Sequence, residues 1–176
     1  MKTATHILVF LLAVSAVSCG HTRTSSTIVL IVRHAEKASD AEDSPLTEAG
    51  MRRSQALVRV AADAGVSAIY STQFKRSRDT VQPLAERLGV GITEVPVDLQ
   101  SPGDYGKLLA KEIMEKHSGQ TVVVVGHGNT IPSIVEGLTG RAASLGDIAY
   151  SDLLVINHSS GSAKVTKAQY GSCAGG

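Results

Sequence analysis

Thr27-Ile-Val-Leu-Ile-Val-Arg-His34 decides the fold: Thr27 to Val32 is a short, largely β-branched run, and it ends on a guanidinium and an imidazole. A run this apolar and this short is buried on both faces of a sheet, the setting of a parallel strand covered by helices. The design returns at Thr121 to Val125 (TVVVV), which runs into Gly126-His127-Gly128-Asn129 and then a helical pattern from Thr130 to Leu138.

Between the two strands, Thr47 to Ala64 carries apolar residues at helical spacing, opens on a threonine cap and stops at Gly65. Ala68 to Ser71 reads as a strand and Arg76 to Leu88 as a helix closed by Gly89, where Pro83 predicts a late start or a kink. Ile92 to Pro96 is a weaker strand. Asp104 to His117 follows as a helix capped by Asp104, with Leu108, Leu109, Ile113 and Met114 on one face. Asp152 to Asn157 and Ala163 to Ala168 form a hairpin across Ser159-Ser160-Gly161. Strands alternating with helices predict an α/β fold, a three-layer α/β/α sandwich around a mainly parallel sheet.

Composition bounds the partners. The 176 residues suffice for one domain, and 43% hydrophobic with 19% charged residues describe a folding chain. Lys and Arg number 17 against 16 Asp and Glu, so no global field favours nucleic acid, and an anion must be gripped locally. Aromatics at 3%, without tryptophan, leave little material for base-stacking platforms.

The first segment reads as an address. Lys2 precedes the apolar run Ile7 to Val17, which is shorter than the about 20 residues of a membrane-spanning helix and ends in small residues before Cys19. Residues 1–18 are expected to be a signal peptide. Ala16-Val17-Ser18-Cys19 resembles a lipoprotein cleavage box, which would make Cys19 the lipidated first residue; a plain secretory cleavage nearby is the alternative. Residues 19–26 are then a tether, 27–170 the folded domain and 171–176 a Gly-rich tail holding Cys173. Both cleavage readings send the protein out of the cytoplasm, to the periplasm or cell envelope. The only membrane contact expected is the lipid.

In an open parallel sheet, ligands bind beyond the carboxyl ends of the strands. That selects Arg33-His34, the segment Ser71-Thr72 with Arg76, and His127. Two guanidiniums converging on one point suit a tetrahedral dianion, because each offers a planar fork of donors to phosphate oxygens. A neutral histidine facing phosphorus can attack it and divide one displacement into two. Nearby arginines favour that neutral state, whereas a second histidine beside bound phosphate is driven toward protonation.

Val32-Arg33-His34-Ala35-Glu36, Leu46-Thr47-Glu48-Ala49-Gly50, Tyr70-Ser71-Thr72 with Arg76 and Thr80, and Val125-Gly126-His127-Gly128-Asn129 resemble, in order, the signatures of the histidine phosphatase superfamily. This is the phosphoglycerate-mutase-like group, and the chain is most similar to its small members that lack a cap domain, resembling the phosphohistidine phosphatase SixA. The resemblance implies a phosphoglycerate-mutase-like fold, His34 as nucleophile, Arg33 and Arg76 as phosphate ligands and His127 as the second pocket histidine. It implies no metal and no organic cofactor, and a small phosphorylated substrate.

Three departures bear on the chemistry. Ala35 replaces the usual glycine, and Lys37 and Asp40 stand where many members carry serine and asparagine. The general acid has two candidates, Asp98 and Asp104, neither in a strict motif, and Asp104 also reads as a plain helix cap. An enzyme short of that acid is expected to prefer activated phosphoryl donors to alkyl phosphates. The alternatives carried forward are a non-catalytic phosphate-ligand-binding lipoprotein and a mutase-like phosphotransferase, for which so short a chain offers little to exclude water.

Overall fold

The computed structural model describes residues 26–142, 144–159 and 161–171. The expected signal peptide, the lipidation at Cys19 and the tail with Cys173 lie outside these residues.

Chain order gives β1 (Thr27–Arg33), α1 (Glu48–Ala61), β2 (Val66–Ser71), α2 (Lys75–Leu88), β3 (Ile92–Glu94), α3 (Tyr105–Lys116), β4 (Thr121–Gly126), α4 (Ile131–Thr139), β5 (Asp152–Ser159) and β6 (Ser162–Gln169). The six strands make one sheet in the order β3-β2-β4-β1-β5-β6. Neighbours among β3, β2, β4 and β1 are parallel, while β5 adds to β1 antiparallel and β6 adds to β5 antiparallel.

Residue alternation explains the layers, since successive side chains of a strand point to opposite faces. Val29, Ile31, Val122 and Val124 pack with Leu109, Ile113, Ile131 and Ile134 of α3 and α4. Leu30, Val32, Val123 and Val125 pack with Leu57, Ala61, Val81 and Leu84 of α1 and α2. Both faces of β1 and β4 are therefore buried, and the architecture is the expected three-layer α/β/α sandwich. Among the described residues, no helix is long and apolar enough to cross a membrane.

The structure corrects several local expectations. Helix α1 ends at Ala61, and the chain turns through Gly65, at φ 67°, into a second strand that starts two residues before Ala68. Helix α2 starts at Lys75 and continues through Pro83 to Leu88, so the late start does not occur. Proline lacks the N–H that would bond the Asp79 carbonyl, and Ser54 of α1 supplies the donor: its Oγ lies 3.0 Å from Asp79 O and 2.9 Å from Thr80 O. Helix α3 has Asp104 at its N-cap position, but no cap bond from that side chain. Leu108 is 66% exposed, because the buried stripe runs through Tyr105, Leu109, Ala110 and Ile113, one step round the helix.

Candidate functional site

The parallel pairing of β1 and β4 opposes Arg33 to Gly126, so the next residues, His34 and His127, leave the sheet side by side. Their ring centroids are 5.1 Å apart, and each residue is 4% exposed. Two hydrogen bonds orient the rings. His34 Nδ1 lies 2.8 Å from Ala35 O, and since a carbonyl only accepts, the proton sits on Nδ1 and the Nε2 lone pair is free. His127 Nε2 lies 3.0 Å from Thr72 Oγ1, which in turn lies 2.9 Å from Ser77 Oγ, and all three residues are buried.

Burial is the main cause that lowers both imidazoles. His34 is held at about 4, with the charges of Arg76, Arg33 and Lys37 adding to burial against the Ala35 bond. His127 is held at about 3 by burial, then by His34, Arg76 and Arg33. Both rings are neutral at pH 7 in the absence of an anion; opposite protonation states would require the charge of a bound dianion.

The arginines come from different elements. Arg33 donates to Ile148 O at 2.9 Å and lies 4.3 Å from the centroid of the Tyr150 ring. Arg76, on the first turn of α2, is buried, donates to Glu42 O and lies 4.3 Å from the Phe74 centroid. The Nε atoms of both are buried without a hydrogen-bond partner. Phe74 also meets His127 edge-on at 5.3 Å. Arg78, two residues further along α2, turns away to Gln73 O and Glu94.

The loop after β1 is clamped. Ala35 N donates to Thr80 Oγ1, and Glu36 takes a bidentate ion pair from Arg53, closest at 2.6 Å. A Cβ on Gly50 would stand 2.4 Å from Glu36 O, which is why α1 needs glycine there. Ala35, standing where glycine was expected, is fully buried, and its methyl is accommodated.

A cavity of about 820 Å³ opens beside Arg76 and Phe74, walled by Lys37, Asp40, Glu42 and Asp98. Asp98 thus faces the space next to the arginine, with Oδ1 accepting from Gln100 N at 2.8 Å. Asp104 does not. It lies in an adjoining groove beside Leu108, on the other side of Asp98, 77% exposed at its side chain and 3.9 Å from Lys107. Among the described residues, no cluster of three or more His, Cys, Asp or Glu side chains is placed to hold a metal ion.

Sequence reasoning missed Tyr150, whose ring lies 5.7 Å from that of His34. A signal existed. A strand added antiparallel to β1 begins beside the carboxyl end of β1, and Tyr150 precedes β5 by two residues. The buried carboxylate of Asp152 holds that loop, accepting from Ala149 N at 2.7 Å and pairing with Lys167 at 2.9 Å.

Residues 29–99 match the model of the histidine phosphatase superfamily (branch 1). The match includes His34 and Arg76 but stops short of His127, whose placement rests on the geometry above. No curated protein matches the chain. Among solved structures, it is similar to mycobacterial glucosyl-3-phosphoglycerate phosphatase, 16% identical with TM-score 0.65 over 84% of this chain and 99% of that one. Protein histidine phosphatase SixA complexed with tungstate is 18% identical, with TM-score 0.59 over 81% and 96%. YhfR of Bacillus stearothermophilus is 17% identical, with TM-score 0.66 over 80% and 95%. At these identities the likeness is one of fold.

Proposed function

We propose that this chain, a member of the histidine phosphatase superfamily and a phosphatase, hydrolyses phosphomonoesters or activated phosphoryl donors through a phosphohistidine on His34, without a metal ion. The observation that carries this reading is the His34 ring: buried, neutral, with its proton fixed on Nδ1 and its Nε2 lone pair free beside two arginines.

The phosphoryl group sits between Arg33 and Arg76, whose donors match its oxygens and offset its charge. His34 Nε2 gives its lone pair to phosphorus as the bond from phosphorus to the leaving oxygen breaks. The electron pair departs with that oxygen, which takes up a proton. The Ala35 carbonyl, already bonded to Nδ1–H, supports the positive charge the ring acquires. His127, beside the dianion, gains a proton and donates to a phosphoryl oxygen as charge builds there. Water then attacks phosphorus, the P–N bond breaks, and inorganic phosphate leaves with His34 restored.

The leaving group has limited help. Of the two acid candidates, Asp98 borders the cavity and Asp104 lies outside it, so the reaction favours donors that depart easily. A positioned acid is worth about 10² to 10⁴ in rate for a poor leaving group. The leader and the box at Cys19 support export to the periplasm or envelope, with lipidation of Cys19 as the anchor.

The test follows residues 20–176 with p-nitrophenyl phosphate in EDTA beside His34→Ala. Phosphate release and an acid-labile phosphoprotein, both lost in the variant, are expected. A folded wild type that binds phosphate and never turns over would replace this reading with a phosphate-ligand-binding protein.

A further inference from the structure

Behind His127 two hydroxyls stand in line. Thr72 Oγ1 lies 3.0 Å from His127 Nε2 and 2.9 Å from Ser77 Oγ, and both hydroxyl residues are fully buried. The other holds on His127 act on its backbone and on its ring faces: His127 N donates to Thr130 Oγ1 at 2.9 Å, and the rings of His34 and Phe74 stand 5.1 and 5.3 Å away. With Nε2 committed to Thr72, Nδ1 is the nitrogen left for an anion. Among the described residues it makes no hydrogen bond, and it is not one of the atoms sealed away without a partner.

A hydroxyl carries one proton and accepts through its oxygen, so Thr72 can serve either form of Nε2. Where Nε2 holds a lone pair, Thr72 turns its proton to the ring and accepts from Ser77. Where Nε2 holds a proton, Thr72 accepts it, and its own proton must point elsewhere; Ser77 Oγ is the acceptor the fold supplies. A buried donor left without an acceptor is costly, which makes the second hydroxyl matter in the protonated form alone.

We propose that Thr72 and Ser77 are positioning residues of the phosphate site, a hydroxyl pair that reverses direction so that His127 Nε2 stays bonded with or without a proton while Nδ1–H faces the anion. This rests on the phosphatase reading of the same site and supplies what it requires of His127, a neutral ring in the empty pocket and a cation beside a bound dianion. The ring gains one proton, from solvent, and each hydroxyl keeps its own, turning about its C–O bond. Burial first, then His34 and the guanidiniums of Arg76 and Arg33, oppose that proton. The cation therefore depends on the anion in front of the ring and on a satisfied Nε2–H behind it.

Sulfate is the probe, because it stays a dianion while the histidines titrate. Calorimetric titration from roughly pH 5 to 9 should show wild-type affinity rising as pH falls and His127 becomes charged. Ser77→Ala keeps the neutral arrangement and strands the Thr72 proton in the charged one, so affinity should fall about tenfold at the acid end and stay within about twofold at the alkaline end. Thr72→Val strands Nε2 in both forms and should lose affinity at both ends, whereas Thr72→Ser keeps the hydroxyl and should recover it. Titration of His34 is common to every variant and cancels in the ratio to wild type. Nitrogen NMR, with the His127 signals assigned by His127→Gln, should show both ring nitrogens protonated in the sulfate-bound wild type at the acid end. The same titration should move about one pH unit lower in Ser77→Ala.

A loss in Ser77→Ala that is equal at both ends, or no loss, overturns the proposal. So does a wild type that binds no sulfate, or whose His127 stays neutral beside it, whatever the stability of the variants. Hydrolysis of p-nitrophenyl phosphate without this pH pattern sinks the inference alone, and the pattern without hydrolysis sinks the catalytic reading alone.

Discussion

The guanidinium of Arg33 lies over the ring of Tyr150, 4.3 Å from its centroid, and the same ring stands 5.7 Å from that of His34. A cation over an aromatic face is worth about 0.5 to 2 kcal/mol, enough to fix a flexible side chain. Tyr150→Phe keeps the face and should leave the KM for aryl phosphate within about twofold. Tyr150→Leu removes it and should raise KM several-fold, up to about tenfold, with a smaller change in kcat. Steady-state kinetics decides; equal losses in both variants would mean that the hydroxyl, not the face, is used.

Acid should inactivate and destabilise through different windows. The nucleophile must be neutral, and with His34 lowered to about 4, kcat/KM should hold down to roughly pH 5 and fall only as pH drops through about 4. Stability behaves otherwise, because the unfolded chain protonates at the ordinary value of 6.5 for both histidines. Below it the unfolded state binds more protons than the native one. The stabilisation present above 6.5 is therefore lost progressively as pH falls through about 4 for His34 and about 3 for His127. Thermal melts between pH 7 and 4 should show this slope, and His34→Gln/His127→Gln should flatten it.

Ser54 completes a helix that a proline interrupts. Removing its hydroxyl leaves the part-buried carbonyl of Asp79 without a donor, and Ser54→Ala should cost about 1 kcal/mol in urea unfolding. In a Pro83→Ala background the restored N–H can take that carbonyl, so the cost of Ser54→Ala should shrink. A double-mutant cycle with no coupling would contradict the assignment.

Gly50 sets how closely α1 approaches the nucleophile loop. A methyl there would lie 2.4 Å from Glu36 O, so Gly50→Ala should destabilise by about 1 to 3 kcal/mol. It should also reduce phosphoenzyme formation, since the displaced Glu36 lies two residues from His34. Rapid-quench trapping of the acid-labile phosphoprotein reports the second effect separately from the first.

The parts of the molecule that sequence makes legible are those where composition and geometry are locally coupled. TIVLIV and TVVVV are short and β-branched, which suits strands buried on both faces, and the polar residues that follow such strands gather at one rim, which is how Arg33, His34 and His127 are found. Pro83 misleads because its remedy, Ser54, lies on another helix. Asp104 reads as a cap by residue type, yet its carboxylate makes no cap bond. Asp43 instead caps α2 from a remote loop, with nothing in the local sequence to mark it. Tyr150 and Ile148 depend on which edge of the sheet the last hairpin joins, and periodicity does not encode that choice.

Order of synthesis gives that hairpin a further consequence. By the time Asn129 has been made, the chain already contains both histidines and both arginines, but not Ile148 or Tyr150, the two groups that hold Arg33, nor β5, which borders β1. Domains made from the N-terminus gain their contacts in that order. A nascent or truncated chain thus has the reactive groups without the support for its first arginine, and competence to grip an anion should arrive only when the final hairpin docks.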